Sequence, residues 1–354
     1  MMEPLLIEPL NVTAIVAIGL MGGIMGGFVG GGGAFVMVPG LMGLGSGALV
    51  AVGTNLLHRF GRMATSSRRR RALRRVDLKL LVLLAIPSVL GVESGRGVTT
   101  LLEDRWGRAA AELYVSIVVI LVLGAVTHML VRDLWFNRRP AAASRPLTVK
   151  GMMQRLRPLH VPPVIRFPAS NVVVSLWLVL GIGFVAGLFG GTIALGGFLT
   201  VPALIYLLGT PASVAIATDL SLVLLVGAYG TVTFAARGCA DVHATLLLYL
   251  GSIPGFHLGL LGTRLLRETP VRVVTCLVLA FVGLSRLIAL PVVGSDGGFW
   301  TLSDNVATVL RGASLVALFG TGALVIVLVG GAVLRALLTR GAYCTLNDVS
   351  VEED

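Results

Sequence analysis

Charge is what this chain of 354 residues is shortest of: only 13% of it is Asp, Glu, Lys or Arg, against about 25% in an ordinary soluble domain. A water-facing globule is excluded on that ground. Cysteine is nearly absent too, and the three present, Cys239, Cys276 and Cys344, have neither metal-binding nor redox spacing; Cys276, inside an apolar run, reads as packing. The five histidines are scattered, with no His-x-x-x-His or Glu-x-x-His pair. There is no nucleophile elbow and no Walker loop. Hydrolytic, redox and ATP-driven chemistry therefore find no foothold; the chain is not expected to be an enzyme, and no cofactor or metal is expected.

What is abundant is apolar sequence. Hydrophobic residues make up 56% of the chain, and the mean hydropathy is +0.93. Apolar runs of about spanning length recur at 12–29, 49–64, 78–91, 109–131, 172–189, 212–235, 244–262, 271–293 and 312–334. A spanning helix needs roughly 17–25 such residues, so 49–64 and 78–91 would borrow flanking turns. The start, MMEPLLIEPL, lacks a basic segment and a small-residue cleavage site, so no cleaved signal is expected. The expected fold class is an all-α polytopic membrane protein.

The net charge of +11 would suit nucleic acid were it spread over one face, but it is not. Residues 59–79 and 132–166 together hold seventeen of the 28 Lys and Arg. Basic loops of this kind stay cytoplasmic and lie favourably against anionic lipid headgroups. Nucleic acid is excluded as a partner and the bilayer is expected instead. With 59–79 inside, the N-terminus falls outside and the C-terminus inside.

The glycine-rich stretch at 22–40, GGIMGGFVGGGGAFVMVPG, returns later. GFVGG at 27–31 matches GLFGG at 187–191; GAFVMVP at 33–39 matches GGFLTVP at 196–202; AVGTN at 51–55 matches AIATD at 215–219. Three elements kept in order point to a duplicated unit of about 130 residues. The expected domains are a first transmembrane repeat at 12–131, a basic cytoplasmic linker at 132–170, a second repeat at 172–293, an extra helix at 306–334 and a cytoplasmic tail at 335–354. Because the basic loop of the first copy is inside and its counterpart at 237–243 is nearly uncharged, the copies should lie upside down relative to each other, as in many secondary transporters.

Helix should break between Gly30 and Pro39 and between Gly190 and Pro202. Unwound backbone survives at membrane depth only inside protein or beside a watery cavity, so paired breaks point to a substrate site near the midplane. Gly19, Gly22, Gly23, Gly181 and Gly183 read instead as close helix packing. A broken helix offers free N–H groups and a positive dipole end to an anion. The expected binding set is Gly30, Gly31, Gly32, Gly33, Pro39, Thr54, Asn55, Gly190, Gly191, Gly196, Gly197, Pro202, Thr218 and Ser221. Asp219 takes the place of Asn55 in the second copy; as a carboxylate it would repel an anion but could exchange a proton, which suits a coupling residue, or serve as a cap or buried structural bond. His58 and Arg59, four residues on from the Thr54 pair, either reach the site or anchor the helix at the interface beneath the basic loop, and the anchor is favoured. Arg286, alone in an apolar run, is either snorkelling or an anion contact.

G-x-x-G-G-G, then V-P, then A-x-G-T, twice over in an apolar protein, resembles the sulfite exporter TauE/SafE family. The likeness covers roughly 12–131 and 172–293. It implies a membrane transporter of sulfur-containing anions such as sulfite, thiosulfate or organosulfonates, in the cytoplasmic membrane of a prokaryote. The basic insertion around 68–75 and the span after 293 go beyond the compact core of that family and leave the cargo open. With no ATP-binding motif, proton coupling or downhill flux is expected. A carboxylate carrier and an anion channel are the alternatives.

Overall fold

A computed structural model describes residues 9–29, 33–65, 76–136, 162–167, 170, 172–265 and 268–349. The elements in chain order are α1 (Pro9–Val29), α2 (Ala34–Gly43), α3 (Ala48–Thr65), α4 (Leu78–Trp106), α5 (Arg108–Phe136), β1 (Val164–Phe167), β2 (Val172–Ser175), α6 (Leu176–Ile193), α7 (Gly196–Tyr206), α8 (Ala212–Ala236), α9 (Val242–Leu265), α10 (Glu268–Asp296) and α11 (Asp304–Val349). Among these residues, eight helices are long and apolar enough to cross a membrane. The chain is a polytopic, mostly helical membrane protein.

Four boundaries differ from the sequence expectation, each for a physical reason. The run at 49–64 is the helix α3, but it is not among the eight apolar spans. It carries Asn55, His58, Arg59 and Arg62, and three of these four (Asn55, His58 and Arg59) are buried by neighbouring helices, which is how so polar a helix survives at membrane depth. The run at 78–91 does not stop at Gly91: α4 continues through Glu93 and Arg96, which pair with each other one turn apart, and ends at Gly107 with φ of 81°. The segment at 172–175 is a strand of β-branched residues pairing antiparallel with β1, Phe167 opposite Val172. This hairpin is the one strand pair among the described residues, added to the expected all-α architecture within the linker and the start of the second repeat. The last helix runs from Asp304 to Val349, so most of the expected tail is helical. The basic residues at 68–75 lie outside the described residues.

Glycine sets the closest helix contacts. The helix α1 lies along α9, and α6 lies along α4. On α1, a Cβ at Gly19, Gly23 or Gly27 would come within 2.4–2.5 Å of the carbonyl oxygens of Leu248, Ser252 and Phe256 on α9. On α6, a Cβ at Gly183, Gly187 or Gly191 would come within 2.0–2.7 Å of those of Leu84, Ser88 and Val92 on α4. Small residues at a spacing of four let two backbones touch. The packing role expected of Gly19, Gly22, Gly23 and Gly183 holds, since Gly22 sits against Met37. It fails for Gly181, which has nothing within 4 Å and lines an apolar groove beside Trp177.

Gly187→Ala should therefore lower the apparent Tm of the purified protein in detergent, by the equivalent of about 1–3 kcal/mol for an overpacked contact. Gly97→Ala, on a helix face with nothing within 4 Å, should leave it unchanged or raise it slightly. Equal Tm values for the two variants would contradict the backbone-contact reading.

Candidate functional site

The centre of the molecule is where two short helices begin. The helix α2 starts after Gly33, whose φ of 74° is the left-handed region; a Cβ there would lie 1.9 Å from the carbonyl oxygen of Gly22, so only glycine fits. The helix α7 starts after Leu195, and Ala194 before it holds φ of 56° as the C-cap of α6. Phe35 and Phe198, third in their respective matching motifs, face each other with ring centroids 5.8 Å apart. The first turns of α2 and α7 thus approach one another. No side chain caps the start of either helix, leaving N–H groups of the first turn without the usual partner.

Beside the start of α7 is a cavity of about 40 Å³, room for no more than a few waters or one small polyatomic ion. Gly187 and Gly190 of α6, Gly196, Gly197 and Thr200 of α7, Arg59 of α3, Ser88 of α4 and Asp219 of α8 line it, with apolar side chains completing the wall. Arg59 is 5% exposed and Asp219 8% exposed. Arg59 donates from Nη1 to the carbonyl oxygen of Ala194, filling the acceptor that the end of α6 would otherwise leave bare. Its Nε and Asp219 Oδ1 are buried with no hydrogen-bond partner. Arg59 Nη2 and Asp219 Oδ2 flank Gly197, at 2.9 Å and 3.2 Å from the point where a Cβ would stand. The missing side chain at 197 keeps open a gap between a cation, a carboxyl group and an uncapped helix start.

Of the residues expected from sequence, Gly190, Gly196, Gly197 and Asp219 line this cavity. Gly191 packs against Val92, Pro39 is buried in α2, and Pro202 is exposed on α7; neither proline lines this cavity. Ser221 bonds back to the Ala217 carbonyl, 3.2 Å away within its own helix. Asn55 is fully buried with both amide atoms unpartnered. Gly30, Gly31 and Gly32 lie outside the described residues.

Thr54 and Thr218 do something else. Thr54 Oγ1 accepts from the N–H of Asp241 at 3.0 Å, and Thr218 Oγ1 accepts from the N–H of Asp77 at 3.4 Å. Asp77 and Asp241 in turn accept from the N–H groups of Leu80 and Ala244, at 3.1 Å and 3.0 Å, at the starts of α4 and α9. Each motif threonine thus clasps the loop that leads into the fourth helix of the other half. Ser170, in the hairpin loop, adds two hydrogen bonds to Asp77 Oδ2, at 3.1 Å and 2.7 Å. These aspartates escaped the sequence reading. The signal was present: the same spacing separates Asp77 from Asp241 as separates Thr54 from Thr218, and a leucine-rich run follows both.

His58 and Arg59 are both buried, against the favoured reading of an interfacial anchor, and Arg59 lines the cavity, as its alternative had it. His58 Nε2 is 2.7 Å from Ser252 Oγ, its ring lies 4.6 Å from that of Tyr249, and Tyr249 donates to the His58 carbonyl at 2.7 Å. The two positions that follow Asp219 at the matching distance are Leu222 and Val223. The buried imidazole and the buried guanidinium on α3 therefore have no counterpart on α8.

The sequence profile of the family described as Sulfite exporter TauE/SafE matches residues 15–286. The chain belongs to the TauE/SafE family. It is also similar to a protein named Probable membrane transporter protein YunE from Bacillus subtilis (strain 168), with 26% identity over 279 residues that cover 76% of this chain and 94% of that one. No solved structure matches the chain. As a member of the TauE/SafE family the chain is a membrane transporter. The family match takes in α1 through most of α10 and leaves α11 outside it.

Proposed function

We propose that this TauE/SafE member is a secondary transporter that exports a small sulfur-containing oxyanion, such as sulfite, thiosulfate or an organosulfonate, by alternating access around the Arg59–Gly197–Asp219 cavity. The observation that carries the reading is the coincidence of an uncapped helix start, a buried arginine and a buried carboxyl group at one gap of about 40 Å³. Arg59 and the first N–H groups of α7 would hold the anion by charge-assisted hydrogen bonds. A compact oxyanion suits the volume better than a bulky carboxylate.

Two inverted repeats with broken helices account for the moving parts. Support comes from reciprocal contacts: α1 on α9 answers α6 on α4, the two threonine clasps answer each other, and Phe35 meets Phe198. Such halves can rock about a fixed central site. In this arrangement the chain lies in the cytoplasmic membrane of a prokaryote, with its N-terminus outside, its C-terminus inside, and its basic loops against anionic headgroups. A single cysteine at Ser67 should then resist a membrane-impermeant thiol reagent in intact cells while one at Ser303 reacts; labelling at 67 would invert the topology.

Proton coupling falls to Asp219. When protonated it can donate to the bound anion; when ionised it repels the anion and pairs electrostatically with Arg59. Thr200 is the hydroxyl beside it. In proteoliposomes, Asp219→Asn should still bind sulfite while its transport loses pH dependence, and Arg59→Gln should weaken binding by at least tenfold at every pH. Asn55→Ala should also weaken binding at every pH, by the loss of a buried amide close to the same crossing of α3 and α8. An unchanged pH profile in Asp219→Asn would make that residue structural and remove the coupling scheme.

A further inference from the structure

A second buried arginine faces a different and larger cavity. Arg286 lies on α10 about 15 Å along the helix from its end at Asp296, by the rise of 1.5 Å per residue. It is 2% exposed, so it does not snorkel to the bilayer surface. Its Nε is sealed with no hydrogen-bond partner, and among the described residues no carboxylate stands within ion-pair distance of it. Its Nη2 reaches Gly43 at the end of α2, where a Cβ would lie 3.1 Å from it. Both residues line a cavity of about 470 Å³ between α2, α5, α10 and α11.

The other charges around this cavity are already committed. Arg108 donates from Nε to Glu112 at 2.8 Å and from Nη2 to the carbonyl oxygen of Gly45. Arg311 of α11 donates from one Nη to both oxygens of Asp296, at 2.7 Å and 2.8 Å. Glu112 also attracts Arg286 across the cavity, so three arginines share two carboxylates and the lining keeps a net positive charge. A buried cation without a counter-ion of its own is costly to retain at membrane depth and marks a functional site by default. Ser314 of α11 adds a hydroxyl to the wall.

The geometry points to a second anion site, with Arg286 as its guanidinium and the C-terminal helix α11 as its outer wall. A guanidinium presents paired donors that match a tetrahedral oxyanion. The ligand class is a tetrahedral oxyanion, taken either as a small free ion such as sulfate or as the monoanionic phosphodiester of a lipid headgroup. The site is separate from the cavity at Arg59, since the two share no lining residue. One of its walls lies beyond residue 286, where the family match ends.

The test is equilibrium binding of radiolabelled sulfate to the purified full chain in nanodiscs. In phosphatidylcholine discs, Arg286→Gln should lower the affinity of one class of sites at least tenfold. Ala289→Asp, which places a carboxylate one turn from Arg286 while leaving the arginine in place, should do the same. Arg59→Gln should leave that class intact, so failure of the central site and failure of this one can be told apart. Repeating the measurement in phosphatidylglycerol discs separates the two sources. A change between discs no larger than that of the Arg59 class assigns a free anion, because the anionic surface repels sulfate from both sites alike; a further tenfold loss confined to the Arg286 class in phosphatidylglycerol assigns the headgroup. Wild-type sulfate binding in folded Arg286→Gln and Ala289→Asp, in both kinds of disc, would overturn the proposal.

Discussion

A helix that ends inside a membrane leaves backbone carbonyls and amides that neither lipid nor water can satisfy, and the centre of this transporter is organised by that constraint. At the end of α6 the exposed acceptor is the Ala194 carbonyl, and Arg59 of the other half reaches across to fill it. A guanidinium brought so deep must itself be compensated, because an isolated buried charge is strongly disfavoured. Asp219, from the facing helix α8, stands across the Gly197 gap from it. Removing the Ala194 break would remove the reason for the arginine, and removing the arginine would leave both a carbonyl and a carboxyl group unmatched. The break, the cation and the acid depend on one another.

Around that centre the rest of the fold keeps helices close without filling the middle. Glycines at a spacing of four bring α1 onto α9 and α6 onto α4 at backbone contact. The threonine clasps fix where the loops before α4 and α9 sit relative to α8 and α3. These contacts are local to the flanks, so the short helices α2 and α7 can begin against each other without carrying the load of the whole structure. Asymmetry then decides chemistry. The positions on α8 that match His58 and Arg59 are aliphatic, while the position matching Asn55 is Asp219. One half supplies the guanidinium and the other the acid.

Much of this was legible in the residues. Apolar runs and the doubled glycine motif indicated a polytopic membrane transporter, because hydrophobic length acts locally along the chain. Gly196, Gly197 and Asp219 were found for the same reason: the motif itself places them at the start of α7 and on the facing helix. Arg59 was misjudged because loop charge counts treat every arginine near a basic run alike, whereas its burial depends on the Ala194 carbonyl, 135 residues away. Thr54 and Thr218 were taken for ligand donors; their hydrogen bonds go instead to loops far off in sequence. The hairpin at 164–175 was hidden because three valines fit an apolar helix as readily as a strand, and pairing with Phe167 and its neighbours decides between them.

The central claim is that an oxyanion sits in the gap that Gly197 keeps open between Arg59 and Asp219. Selenite is a heavier analogue of sulfite whose selenium scatters anomalously. A crystal structure of the protein soaked with selenite, with data collected at the selenium edge, should show an anomalous peak beside Gly197, within hydrogen-bonding reach of Arg59. A well-ordered structure with no peak at that gap, from protein that binds selenite in solution, would contradict the account.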